Sequence, residues 1–253
     1  MTDPSPYSAP PSPSLHHGGA PAPGTDLAAD LGAALHFAGT ALLRNPVAYL
    51  VVGFIYCAIY TVVILGGMLG GIAAMFSRTD QWSSSDYVPV IELLLFYAIM
   101  LGAMVLLIPF ALMWQSASGR AAEIVLQGGR PTIGQALVGP GRIVLTSLLY
   151  GLIVMVGMLL FYIPGLIAAV LFMFAIPASA RGAAPVAALK ESYALVRANL
   201  GTAIVAYLVL SVILSVGAMV VVGIVVMTPF IVLFELGMYE RLRGRELPEP
   251  ARA

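Results

Sequence analysis

The pattern of apolar and polar positions is dominated by long runs without charge. The clearest of them extends from Ile143 to Ala180 and holds 38 residues with no Asp, Glu, Lys, Arg or His. A helix of that length would extend about 57 Å, enough for two crossings of a ~30 Å hydrocarbon core. Proline lacks the N–H that continues a helix and glycine tolerates turn dihedrals, so the turn is predicted at Pro164-Gly165. The run therefore predicts a transmembrane helical hairpin, with Arg142 and Arg181 closing its ends on one side.

The other apolar runs predict four more spans. Val47 to Phe76 is one span, and a second runs from Pro89 to about Trp114, with a kink expected at Pro109. Thr202 to Tyr239 holds 38 residues with one charge, so its length again predicts two spans, joined by a turn near Val216 to Gly223. The predicted fold is all-α: a polytopic membrane protein with six transmembrane helices arranged as three hairpins and with cytoplasmic amphipathic helices.

Two segments outside these runs carry apolar residues at helical spacing and predict the amphipathic helices. The first begins at Thr25 as N-cap and ends at Asn45-Pro46. Its apolar stripe is Leu27, Leu31, Leu35, Ala38 and Leu42. Such a helix either lies in the membrane interface or packs against the cytoplasmic faces of the spans. The second spans 185–199, with Pro185 as its first residue. Its apolar stripe is Val186, Leu189, Tyr193, Val196 and Leu200.

The polar segments divide the chain into three regions. Residues 1–24 are rich in proline and poor in large apolar groups, so they are predicted to form a disordered cytoplasmic tail. Residues 25–240 form the six-helix transmembrane domain, and residues 241–253 a basic cytoplasmic tail. Within the domain, Arg120 to Arg142 is predicted as a polar connection that contains a short helix over Pro131 to Val138.

Composition supports a membrane protein and excludes several other classes. The chain is 60% hydrophobic and 9% charged, whereas a soluble domain usually carries about 25% charged residues. Lipid must therefore be the solvent for much of the surface. The net charge of zero gives no general attraction to nucleic acid. Cys57 is the only cysteine, so the chain cannot form an internal disulfide.

The distribution of basic residues predicts the orientation. In the six-span topology one side receives only Arg78. The other side receives Arg44, Arg120, Arg130, Arg142, Arg181, Lys190, Arg197, Arg241, Arg243, Arg245 and Arg252. Basic residues accumulate on the cytoplasmic side of membrane proteins. The pattern therefore predicts an inner (plasma) membrane protein with both termini in the cytoplasm.

The first span carries four glycines that make two overlapping GxxxG pairs. They are Gly66, Gly67, Gly70 and Gly71. Small residues four apart allow helix backbones to approach closely in lipid. The glycines therefore predict either close packing within the monomer or a seam with a second copy or another membrane protein.

The sequence offers few residues for chemistry. It contains no HExxH, GxSxG, Walker or GxGxxG motif, and its three histidines all precede residue 37. We therefore expect no enzyme activity, metal or cofactor. The predicted spans hold only Glu92 and Glu235 as charged residues. Glu235 is expected either to pair with a basic residue, Arg120 or Arg197, or to bind a proton or a cationic headgroup as part of function.

One pattern resembles a known group of bacterial proteins. Phe161-Tyr162-Ile163-Pro164-Gly165 is followed by a span, and then by Ala187-Ala188-Leu189-Lys190-Glu191-Ser192 and Val196-Arg197. This resembles the membrane region attached to some glycerophosphodiester phosphodiesterases, which uncharacterised stand-alone bacterial membrane proteins share. In the fusions a separate soluble domain carries the hydrolase chemistry. The resemblance therefore implies an architecture and implies no activity.

Two classes of function fit these observations. The first is a non-enzymatic membrane scaffold or assembly partner, indicated by the absence of site chemistry together with the amphipathic helices and the glycine-rich face. The second is a carrier of small solutes or lipids, indicated by the repeated hairpins and by Glu235. The expected partners are the lipid bilayer and a membrane protein, and nucleic acid is not expected.

Overall fold

The computed structural model describes residues 21–77, 89–219 and 221–251, which form ten α-helices. The helices are α1 (Leu27–Arg44), α2 (Pro46–Phe76), α3 (Val90–Leu126), α4 (Ile133–Leu137), α5 (Gly141–Leu160), α6 (Tyr162–Leu171), α7 (Ala175–Ala180), α8 (Pro185–Ala198), α9 (Leu200–Gly217) and α10 (Val221–Leu242). The predicted all-α class is confirmed for this part of the chain. The histidines His16 and His17, the loop residues from Arg78 to Tyr87, and Arg252 lie outside it.

Five helical stretches in the described ranges are long and apolar enough to cross a membrane. They are Pro46–Phe76, Val90–Leu126, Ile133–Leu160, Tyr162–Ala180 and Leu200–Gly217. In four of them most side chains are not buried by other parts of the protein, which suits contact with lipid tails, whereas Tyr162–Ala180 is more than half buried. The chain is therefore a multi-pass helical membrane protein, as its composition predicts.

The glycines of α2 pack against α3 within the same molecule. A Cβ atom added to Gly67 would lie 2.8 Å from Cβ of Ala103, and one added to Gly71 would lie 2.7 Å from a ring carbon of Phe96. Gly66 faces open space, and Gly70 makes an ordinary contact with α3. The prediction of close packing within the monomer is therefore confirmed for Gly67 and Gly71.

Helix α3 is longer than its predicted span. It continues through Pro109 to Leu126, so the prediction that a polar connection starts at Arg120 is wrong. The extension is helical because Ala121, Ala122 and Val125 are completely buried, and alanine has the highest helix propensity. The predicted short helix is confirmed as α4, where the Thr132 side chain caps the helix and Gln135 completes a capping box.

The hairpin of α5 and α6 turns at Phe161, and the prediction of a turn at Pro164-Gly165 is wrong. Phe161 has extended backbone dihedrals, and both Pro164 and Gly165 lie in the first turn of α6. Proline is tolerated there because the first N–H groups of a helix have no intrahelical partner. Gly165 serves packing: a Cβ atom added to Gly157 on α5 would lie 2.7 Å from its Cα.

The second arm of this hairpin is broken between α6 and α7. The Ser192 side chain on α8 repairs the break, since its Oγ donates to the Leu171 carbonyl at 3.0 Å and accepts from the Phe174 N–H at 3.1 Å. Ser192 is completely buried. The packed face of α8 therefore has a polar residue at its centre, and this residue supplies hydrogen bonds to backbone groups where the helix is interrupted.

The packed face of α8 differs from the predicted stripe. Leu189 and Val196 are buried as expected, but Val186 is 58% exposed and Tyr193 is 40% exposed. The packed face also contains Ala188 and Ser192. Leu200, the last predicted stripe residue, belongs to α9. The helix begins at Pro185, as predicted.

Helix α1 packs along α10. Its N-cap is Asp26 and the prediction of Thr25 is wrong: Asp26 Oδ1 accepts from Ala29 N–H at 2.7 Å, while the Thr25 hydroxyl donates to the Ala22 carbonyl. The buried residues of α1 are Asp30, Ala34, Phe37, Ala38 and Ala41. The three alanines of this set are small, so the backbones of α1 and α10 can approach closely: a Cβ atom added to Gly237 would lie 3.2 Å from Ala34. Helix α1 therefore packs against another helix of the protein, and its position relative to the membrane stays a prediction.

Helix α10 lies at the centre of the packed region. All residues from Val232 to Arg241 are buried, and α10 contacts α1, α2, α3, α7 and α9. The chain reverses between Gly217 and Val221, inside the predicted window, although residue 220 is outside the described part. Pro229 lies within the helix. Helix α10 is therefore the one around which these five helices pack.

Candidate functional site

A buried ion pair joins the two ends of the described chain. Arg241 Nε donates to Asp30 Oδ1 at 2.7 Å, and the two side chains are only 6% and 2% exposed. The same Asp30 oxygen accepts from the Gly24 N–H at 3.1 Å. The Arg241 guanidinium also donates to the Pro21 carbonyl. Residues 21–24, which belong to the predicted disordered tail, are therefore attached to α1 and α10.

Further charged residues at the end of α10 are paired with one another. Glu240 forms an ion pair with Arg181 at 3.0 Å, without hydrogen-bond geometry, and accepts a hydrogen bond from Arg245 at 3.1 Å. Arg243 binds Glu191 of α8 and the hydroxyl of Tyr239. We call these residues, with Asp30 and Arg241, the charged cluster. It ties α1, α8 and the Arg181 region to one helix.

Arg243 keeps its charge in this setting. Burial alone would lower the pKa of its guanidinium, but the Tyr239 hydroxyl and the carboxylates of Glu191 and Glu240 outweigh burial and raise the pKa. The guanidinium also lies over the Tyr239 ring, 5.2 Å from its centroid. The cluster is therefore built to hold helices together rather than to exchange a proton at this residue.

Two more arginines hold backbone segments near the cluster. Arg142 donates to the carbonyls of Ser179 and Ala180 at 3.0 and 3.1 Å, which fixes the start of α5 to the end of α7. Arg44, at the end of α1, binds the Glu249 carboxylate and the Pro250 carbonyl. The segment after α10 therefore folds back onto α1.

Glu235 is buried without a partner in the described ranges. Its side chain is on α10, the residue is 8% exposed, and it has neither an ion pair nor a hydrogen bond there. Its carboxyl group lies in the neighbourhood of the Tyr150 hydroxyl of α5 and the Tyr207 hydroxyl of α9. A carboxylate in this position is costly unless it is protonated or binds a cation.

The expected pairing of Glu235 with Arg120 or Arg197 is wrong for this structure. Arg120 donates to the Val138 carbonyl at 3.2 Å. The Arg197 guanidinium lies over the Tyr193 ring, 5.6 Å from its centroid, on the outer face of α8. Arg120 is bound to the α4 end and Arg197 to a tyrosine of its own helix, so neither side chain pairs with α10.

The structure does not bring the remaining predicted residues to Glu235. Pro164 is exposed at the start of α6, and Gly165 is buried against Met158 of α5. Both belong to the far end of the α5–α6 hairpin from Arg142 and Arg181. Their role in the structure is to form and pack that hairpin.

Sequence reasoning missed a cleft between α2, α3 and α10. This lateral cleft has a volume of about 880 Å³. Its lining includes Phe54, Tyr60, Leu65, Trp114, Gln115 and Val232. Trp114 forms its inner wall, stacked on Tyr56 with ring centroids 5.3 Å apart and edge-on to Tyr60 at 6.1 Å. The signal in the sequence was the polar Gln115 directly after Trp114, at the end of the predicted second span.

In the part of the chain that the structure describes, no three His, Cys, Asp or Glu side chains are grouped so that they could hold a metal ion. Cys57 is half-buried in the lining of the lateral cleft.

Comparison with known proteins gives no relative: no family model, no curated protein and no solved structure matches the chain. The resemblance to the membrane region of glycerophosphodiester phosphodiesterases therefore stays a prediction.

Proposed function

We propose that the chain crosses the plasma membrane six times, with both termini in the cytoplasm. The supporting observation is that Asp30 binds Arg241 and Arg44 binds Glu249, so residues before α2 and after α10 lie on the same side. That requires an even number of crossings between them. Five helical stretches are long and apolar enough to span, and α10, with 22 residues, supplies a sixth. The excess of basic residues at these ends favours the cytoplasm.

Cysteine labelling tests this topology. In a Cys57→Ser background, single cysteines replace Ser14, Ser84 or Gly244. An impermeant thiol reagent applied to intact cells should label only the cysteine at position 84, whereas all three should react after the cells are opened. Labelling at position 14 or 244 in intact cells would overturn the six-span model.

Within this topology, the protein acts as a non-enzymatic membrane scaffold or assembly partner. The observation that carries this proposal is the division of its charged residues. The residues of the charged cluster pair with one another and thereby join helices within the protein. The outer face of α8 instead presents Lys190, Tyr193 and Arg197, none of which forms an ion pair in the described ranges. A rigid domain with an exposed basic face is suited to hold an acidic surface of a partner.

Purification from native membranes tests the scaffold. We expect a partner to co-purify at fixed stoichiometry and to be lost when Lys190→Glu and Arg197→Glu reverse the charge of α8. Arg130→Glu is the matched control, because it reverses an exposed charge on the α3–α4 connection. Retention of the partner by the α8 variant, or purification of the wild-type chain alone, would contradict the proposal.

A second candidate function is a carrier of small solutes or lipids that uses Glu235. It is favoured by the burial of this carboxyl group without a cation in the described ranges. Intramembrane carboxyl groups are characteristic of ion and substrate pathways. Saturable flux of a small solute or lipid in proteoliposomes, lost in the Glu235→Gln variant, would support the carrier function. Glu123→Gln is the control, since the Glu123 carboxylate contacts Arg142 at 3.7 Å and accepts from the Gln127 side chain at 3.2 Å, away from Glu235. Absence of flux in the wild type would exclude it.

A further inference from the structure

The lateral cleft has the shape and position of a site for a lipid chain. Its lining on α2 extends from Phe54 to Leu65, which corresponds to about 16 Å along the helix. Its volume of about 880 Å³ falls within the ~300–1,000 Å³ typical of ligand sites. The side chains at its edge on α2 remain accessible: Phe54 is 56% exposed and Leu65 is 49% exposed. The cleft therefore opens sideways, toward the surface that faces lipid.

Lipid is the natural occupant of such a space. The lining contains no Asp, Glu, Lys or Arg and is mostly apolar. Water gains few hydrogen bonds there, and an unfilled gap forfeits the dispersion contacts of the side chains around it. An acyl chain supplied by the surrounding bilayer restores those contacts without any desolvation of charge.

The polar residues of the cleft indicate where the lipid places its ester group. Gln115 lines the cleft and makes no hydrogen bond to any described residue. It lies five residues before Arg120 on α3, which is about 7.5 Å of helix rise. Arg120 is among the basic residues that the topology places in the cytoplasm, so Gln115 is at the depth where the hydrocarbon core meets the headgroups. The Gln115 amide can donate a hydrogen bond there to an ester carbonyl.

We propose that the lateral cleft binds one diacyl phospholipid, with an acyl chain against Trp114 and an ester carbonyl accepting a hydrogen bond from the Gln115 side chain. The chain extends along α2 toward Leu65. The depth of Gln115 rests on the proposed six-span topology, while the inference does not depend on the scaffold or carrier function.

Fluorescence of Trp114 tests the chain. The sequence has one other tryptophan, and Trp82→Phe leaves Trp114 as the single reporter. The protein is reconstituted in phosphatidylcholine vesicles with brominated or unmodified acyl chains. We expect brominated chains to lower the emission by about half, because quenching needs near contact between bromine and ring. Trp114 is only 7% exposed, so chains that stay outside the cleft reach it poorly.

Two variants make the test specific. Ala111→Phe fills the cleft and should restore most of the emission, and Ala58→Leu does the same from α2 if the first variant fails to fold. Ala73→Phe adds the same bulk to α2 outside the cleft lining and should leave quenching unchanged. Quenching that persists in both filled variants, or no quenching in the parent, would overturn the proposal. The second result is also what a protein helix seated in the cleft would give.

Native mass spectrometry tests the ester contact. The purified protein should retain one phospholipid in detergent, and Gln115→Leu should reduce the retained fraction severalfold while the chain still quenches Trp114 in vesicles. Equal retention by the parent and by Gln115→Leu would overturn the assignment of Gln115.

Discussion

Replacing Ser192 by alanine should weaken the joint between α6, α7 and α8. The substitution removes a hydroxyl that bonds both the Leu171 carbonyl and the Phe174 N–H, and both groups are at the interruption of the helix. A buried backbone group left without a partner costs about 1–3 kcal/mol. Partial closure of the break by local rearrangement would recover some of this cost. We therefore expect Ser192→Ala to lower the free energy of unfolding by about 2–4 kcal/mol.

Two measurements check this prediction. In detergent, the midpoint of thermal unfolding should fall by about 4–16 °C, since each kcal/mol is worth roughly 2–4 °C in a chain of this size. Hydrogen exchange should show where the loss arises: the Phe174 amide should exchange faster, because it loses its acceptor. A general loosening of the protein would speed exchange throughout the core instead.

The chain supplies a matched control. Ser215 carries the same hydroxyl on α9, but it only bonds back to the Ser211 carbonyl and is exposed. Ser215→Ala should change the free energy of unfolding by no more than about 0.5 kcal/mol. If Ser192→Ala and Ser215→Ala behaved alike in stability and in exchange at Phe174, the argument that Ser192 repairs the break would be refuted.

Three further predictions follow from other contacts. Asp30→Asn leaves Arg241 buried without its main anion, and it should lower the free energy of unfolding, measured by thermal unfolding, by up to about 3–5 kcal/mol. Wild-type stability in this variant would show that the docking of α1 does not depend on the pair. Gly165→Leu would force side-chain atoms into α5 and should lower the yield of monodisperse protein in gel filtration. An unchanged yield would mean that α5 and α6 can move apart without loss of the fold. Leu189→Glu with Val196→Glu places two charges on the packed face of α8 and should speed hydrogen exchange across 185–199. Unchanged exchange would mean that this face is already in water.

The sequence predicted the elements that depend on local signals. The uncharged runs locate the spans, Pro185 starts α8, and the short helix expected within 131–138 is α4. The interruption before α7 was missed, although Pro177 signals it: proline cannot donate to the Met173 carbonyl four residues earlier. The predicted stripe of α8 also left out Ser192, which is buried on the packed face.

Contacts between distant residues could not be predicted in the same way. Asp30 and Arg241 are 211 residues apart, and nothing in either local sequence indicates the other. The lateral cleft also requires three helices from separate parts of the chain. The hydrophobic pattern states only that these helices face lipid or protein, and it does not say which side chains meet.

The central position of α10 has a consequence for biogenesis. This helix is translated after every helix that it packs against, yet its buried stretch from Val232 to Arg241 supplies the middle of their packing. Until it emerges from the ribosome, α1 lacks the surface on which it docks, and the small-residue face of α1 stays open. The bilayer can hold the earlier helices apart during this interval, but their tertiary assembly must wait until α10 has been made. The nascent chain therefore passes through an open stage in which chaperones, proteases or other membrane proteins have access to surfaces that the finished molecule conceals.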